Sequence, residues 1–189
     1  MFAVESPTSR VKWSVVPVNV GSRMPFVLLS GDWVRLTTHF FRRTFLCTEG
    51  DSCDACSLLG SRAYWYLPVR SEQTGGVGLL ELSAQASSHL EQAAKFAGYS
   101  VAAGLRIEVS RKSTKSPVFS EMVGQTPNAS PLPLASWGTG LMKVFGLPPI
   151  EDGESLDSYG ERVYERVRMR SQVEAAAYAA SRSGRPNSR

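Results

Sequence analysis

The sequence predicts a mainly β fold of the α+β class, and three observations carry that expectation. Short runs of β-branched and aromatic residues recur between Gly- and Pro-bearing turns from Val11 to Gly124. One short helical pattern, Ala84 to Ala97, interrupts them late in the series. A longer helical pattern, about Ser158 to Ala180, follows all the strands.

Val11 to Leu29 reads as two extended segments, VKWSVVPVNV and FVLLSG, separated by the punctuation GSRMP. WVRLTTHFFRRTFLC is dense in β-branched and aromatic residues and suits a strand leading into a turn. TEGDSCDACS, residues 48–57, has the small polar composition of a loop. Strand character resumes in RAYWYLPVR, and VGLLELS follows a turn at Gly75 and Gly76. Ser83 is placed to cap the first helix, which gathers Ala86, Leu90, Ala93, Ala94 and Ala97 on one side and ends at Gly98. LRIEVSRKS alternates, with Leu105, Ile107 and Val109 on one face, and SPVFSEMVG reads as its hairpin partner. The last helix carries Val163, Val167, Val173 and several alanines, with Glu and Arg alternating on its wet faces.

Many short strands around one helix are the sequence signature of a small barrel of the OB type, a pattern that sandwiches and open α+β sheets share. The expected organisation is an OB-like β domain over 1–125 with a zinc subdomain at about 39–57. A proline-rich connector at 126–150 comes next, exposed or draped over the domain, followed at 151–189 by a C-terminal helix and a mobile basic tail.

Composition narrows the function classes. The apolar fraction of 42% supports a real core. Net charge is +4, from 21 basic and 17 acidic residues, and arginine dominates the basic set, which suits a polyanionic partner. The opening residues have neither a basic start nor an apolar run, and no stretch approaches a membrane span, so a cytoplasmic chain without a membrane partner is expected. Three cysteines, an odd number in a reducing compartment, argue against a disulfide framework. No Ser/His/Asp set, nucleotide loop or paired-carboxylate motif is visible, and the expectation is a protein that is not an enzyme.

The strongest motif is His39, Cys47, Cys53 and Cys56, spaced H-x7-C-x5-C-x2-C. A C-x-x-C turn sets two thiolates on one side of the chain, and neighbouring extended segments supply His39 and Cys47. Every cysteine and one of the two histidines lie in this window. Four protein ligands leave no open position, so the expected Zn2+ is structural and orders a loop too polar to order itself. A redox pair at Cys53 and Cys56 would need a βαβ context that the sequence lacks. His89, in the Ala-rich helix, reads as an ordinary surface or half-buried histidine.

Aromatic and basic residues flank the motif. Phe40, Phe41, Arg42, Arg43 and Phe45 lie between His39 and Cys47, and Arg62, Tyr64, Trp65 and Tyr66 follow Cys56. A second basic group, Arg106, Arg111, Lys112 and Lys115, sits at the later hairpin. Rings on which bases stack, beside guanidinium groups that follow phosphates, are the equipment of a single-strand binder, and they accept RNA as well as DNA. The same aromatics in alternating strands also build cores.

The stretch HFFRRTFLCTEGDSCDACSLLGSRAYWYLPV, together with GLRIEVSRK, resembles the zinc-containing single-stranded-DNA-binding proteins of phages and mobile elements. It is similar in design to the helix-destabilising protein of T-even phages, in motif order and not in close sequence. The resemblance implies an OB fold, zinc held by His39, Cys47, Cys53 and Cys56 beside the groove, and protection of single strands in replication or recombination alongside proteins of those processes. Two departures stand out: the ligand spacings are tighter, and the chain ends in a basic segment where such proteins often carry an acidic tail. The acidic patch here (Glu151, Asp152, Glu154, Asp157) precedes the last helix. A zinc-stabilised protein-interaction module without nucleic-acid binding is the competing expectation.

Overall fold

A computed structural model describes residues 13–48, 53–114, 119–149, 151 and 153–183. Seven strands form one antiparallel sheet: β1 (Arg23–Leu28), β2 (Val34–Phe41), β3 (Arg43–Leu46), β4 (Arg62–Ser71), β5 (Val77–Ser83), β6 (Leu105–Ser110) and β7 (Phe119–Gln125). Four helices accompany them: α1 (Asp54–Leu59), α2 (Ala84–Phe96), α3 (Leu134–Val144) and α4 (Leu156–Ser183).

The longest strand, β4, organises the sheet. Along one edge it pairs with β5 over Tyr64–Arg70. Along the other it pairs first with β2, from Thr38↔Arg62 to Val34↔Tyr66, and then with β1, from Leu28↔Val69 to Phe26↔Ser71. Pro68, which has no N–H to donate, falls where the partner changes from β2 to β1. The path runs β3-β2-β4-β1-β6-β7, with a parallel bridge from Val15 to Leu79 added at β5. The α+β class is as expected. The sheet is open: among the described pairings none joins β5 to β7, and α2 packs against both strands instead of a barrel seam.

Helices cover the two faces of the central strands. Phe26, Leu28, Leu67, Val69, Leu80, Leu82, Leu105, Ile107 and Val109 are buried against Ala86, Leu90 and Ala94 of α2. Ser83 caps that helix by accepting from the Ala86 N–H at 3.2 Å. On the opposite face Tyr66 and Leu79 are buried against Trp137, Leu141 and Phe145 of the α3 segment. Each buried Leu, Ile, Val or Phe among them contributes about 1.5–3 kcal/mol by leaving water, and each alanine a fraction of that.

The α3 segment corrects the reading of 126–150 as a connector. Pro127, Pro131 and Pro133 stand ahead of the helix, with Pro133 at the N-cap, and Pro148 and Pro149 follow it. Trp137, Leu141 and Phe145 recur at a four-residue spacing that fills one face. Gly140 leaves room for the Trp13 ring, which a β-carbon there would overlap. The last helix is also longer than expected, running through Ser183 into the stretch read as a tail; residues 184–189 lie outside the described part. No described helix is long and apolar enough to cross a membrane.

Candidate metal centre and the surrounding grooves

Hairpin pairing builds half of the centre. In β2 and β3 His39 stands opposite Phe45, and the turn closes through Arg42 at φ 61°. Alternation puts residue 47 on the same face as residue 45, and therefore on the face of His39. The Cys47 N–H donates to the Thr37 carbonyl at 2.9 Å, which fixes that thiol beside the imidazole. The other half is a knuckle: Cys53 is the N-cap of α1, and the Cys56 N–H donates to its carbonyl at 3.0 Å.

The four donor atoms lie within 4.8 Å of one another, close enough to hold one metal ion. His39 Nε2 is 3.2 Å from Cys53 Sγ and 3.8 Å from Cys56 Sγ, and Cys47 Sγ is 3.7 Å from Cys53 Sγ and 3.5 Å from Cys56 Sγ. His39 Nδ1 is 2.6 Å from the Gly60 carbonyl. A carbonyl only accepts, so the proton sits on Nδ1 and the Nε2 lone pair faces the three sulfurs.

A second layer comes from α4. The Ser171 hydroxyl lies 3.4 Å from Cys53 Sγ. Burial pushes the Cys53 thiol up, but hydrogen bonds from Ser171 and Thr48 prevail and hold it at about 5. Cys56 is raised, by burial first and by its neighbour Cys53. Arg43 donates to Glu174 from Nη2 at 2.9 Å and from Nε at 3.2 Å, and Phe41 meets Tyr178 edge to face at 5.4 Å. The long helix is thereby fastened over the knuckle. Ser171 and Glu174 were not singled out from the sequence, because nothing local marks a side chain that becomes a neighbour only across more than a hundred residues. The Gly60 carbonyl, 21 residues from His39, was missed because a backbone acceptor leaves no mark in the sequence.

The aromatic and basic residues do not form one strip. Phe45 and Tyr66, at 1% and 0% exposure, are core residues with no face for a base. Tyr66 donates to Glu81 Oε2 at 2.7 Å. Phe40 is 70% exposed, while Phe41 is half-buried beneath the Arg42 guanidinium at 5.1 Å. Trp65 points to a hollow shared with Asp32, Trp33 and Glu91, with Arg35 stacked over its ring at 5.8 Å. Arg43 is committed to Glu174, and Arg106 donates to Glu72 at 2.8 Å. Lys112 is exposed, and Lys115 lies outside the described residues. His89, on the exposed side of α2, lies 3.1 Å by Nδ1 from the Ser120 carbonyl.

Three of the expected contact residues do converge. Arg62, Tyr64 and Arg111 line one open groove of about 990 Å³, together with Val16, Glu81 and the first turn of α2 at Ser83, Ala84 and Gln85. Arg62 begins β4, two residues beyond the Gly60 carbonyl that orients His39, so the metal centre and the groove share one short piece of chain. No protein-family model, curated protein or solved structure matches this chain.

Proposed function

We propose that this chain is a zinc-stabilised single-strand-binding protein, with single-stranded DNA as its first partner and protection of strands in replication or recombination as its role. The observation that carries the reading is the groove in which Arg62, Arg111, Tyr64 and the N-terminal turn of α2 meet. Two guanidinium groups and the positive end of a helix suit phosphates, and a half-buried tyrosine beside them suits a stacked base. Among the described residues Arg62 has no carboxylate partner, unlike Arg43 and Arg106. The motif order shared with phage single-strand binders points the same way. An open sheet supplies the groove as well as an OB barrel would, so the reading does not depend on closure.

Zinc suits the metal centre on chemistry. Zn–S bonds of about 2.3 Å arranged tetrahedrally place sulfurs about 3.8 Å apart, close to the 3.5 and 3.7 Å separations here. Three thiols and one imidazole are soft donors, and they fill all four positions. The ion would then be structural, holding α1 and the start of β4 on the hairpin.

Binding of labelled single-stranded DNA, RNA and duplex across a salt series tests the function. Single strands are expected to bind best, with affinity falling steeply as salt rises. Arg62→Ala should weaken binding evenly across sequences and flatten the salt slope by about 0.7, the worth of one phosphate contact on a single strand. The interaction-module alternative draws on Met169 and Val173, adjacent on the outer side of α4 and 62% and 66% exposed. A folded, metal-loaded protein that binds no oligonucleotide at low salt would remove the single-strand reading and leave that alternative in its place.

A further inference from the structure

The groove holds one residue that phosphate binding alone does not explain. Glu81 is a carboxylate among cationic groups, where it repels a phosphate backbone. It is also held firmly. Glu81 stands directly opposite Tyr66 across β4 and β5, and the Tyr66 hydroxyl donates to its Oε2 at 2.7 Å. Among the described residues no donor reaches Oε1. Tyr64 pairs with Ser83, which makes it the diagonal neighbour of Glu81 on the same face, within reach of a long or aromatic side chain. A base stacked on Tyr64 would bring its hydrogen-bonding edge to that carboxylate.

We infer that Glu81 is a base-reading residue that accepts a hydrogen bond from the exocyclic amino group of an unpaired base lying on Tyr64. The inference rests on the single-strand reading above and adds a preference to it. Cytosine, adenine and guanine carry an amino donor. Thymine and uracil present one N–H flanked by two carbonyl oxygens, whose partial negative charge faces the carboxylate unfavourably. The groove therefore favours amino-bearing bases over thymine, while Arg62 and Arg111 hold the backbone without reading it.

The test compares oligo-dC with oligo-dT of equal length at pH 8, where both are unstructured. The native protein should bind oligo-dC on the order of tenfold more tightly, the low end of a good base contact. Oligo-dC carrying N4,N4-dimethylcytosine should fall to the oligo-dT level, a comparison that needs no protein variant. Glu81→Gln keeps an acceptor for Tyr66 and can turn its amide toward a carbonyl, so the dC to dT ratio should approach one. Equal binding of both oligomers with a steep salt dependence would overturn the assignment and leave the single-strand reading standing. A dC preference that survives dimethylation or the glutamine variant would equally overturn it. Binding of neither oligomer would remove both readings.

Discussion

The α2 face of the sheet and the cysteine knuckle differ in how much apolar burial holds them. Under α2, nine buried sheet residues and three helix residues form a continuous apolar core. Around the knuckle the buried apolar set is Phe45, Cys53, Ala55 and Ala175, of which one side chain is large. Helix α1 has six residues, far below the roughly 12–15 at which an isolated helix becomes even marginal in water. Hydrophobic burial is enough for the first region and falls short for the second. Bonds to the proposed zinc would make up the difference, and α4, which rests on the knuckle through Ser171, Glu174 and Ala175, would share that dependence.

Substitutions that act on one region at a time should separate the two. The largest effect is expected from Cys53→Ser, which removes a ligand and a hydrogen-bond partner of Ser171 together. It should abolish stoichiometric zinc and strip hydrogen-exchange protection from α1 and the facing part of α4, while β6 and α2 keep theirs. Structural zinc sites contribute up to about 10–16 kcal/mol in small peptides, so local loss should be complete. Uniform loss of protection would mean that the two regions fold as one unit.

Leu90→Ala is the converse change. It leaves a cavity under α2 and should cost about 2–5 kcal/mol in denaturant unfolding, with zinc content unchanged. Gly140→Ala comes next: its new methyl would overlap Trp13, and such overpacking costs about 1–3 kcal/mol. A melting temperature equal to the parent's would show that Trp13 does not pack there. The smallest expected effect is Glu174→Gln. Arg43 is 64% exposed and Glu174 only 11%, and a neutral amide still accepts a hydrogen bond, so the loss should stay below about 1 kcal/mol. A double-mutant cycle with Arg43→Ala would measure the coupling.

How much could be read from the sequence follows the same division. The capped Ala-rich helix places α2 within a residue of its expected bounds. Strand β6 starts where LRIEVSRKS was expected to start but ends at Ser110, three residues early, where the apolar alternation that burial supports runs out. The four donor residues stood out by their spacing, and the structure brings their donor atoms within 4.8 Å of one another. The α3 helix was hidden by its prolines and by two glycines that lower helix propensity, and burial of Trp137 and Phe145 overrides both. The aromatic cluster misled for a simpler reason. Successive residues of a strand face opposite ways, so Tyr64 opens on the groove while Trp65 lines the hollow with Asp32, and burial claims Phe45 and Tyr66. Glu81 went unnoticed because a lone glutamate in a strand carries no signal until its cross-strand partner is known.

Elemental analysis of protein purified without chelators, followed by hydrogen exchange before and after metal removal, bears on the division itself. The expected result is one zinc per chain, with chelation releasing protection over Asp54–Leu59 and the Ser171–Tyr178 part of α4 while Leu105–Ser110 and α2 stay protected. A metal-free chain with full protection at the knuckle would contradict it.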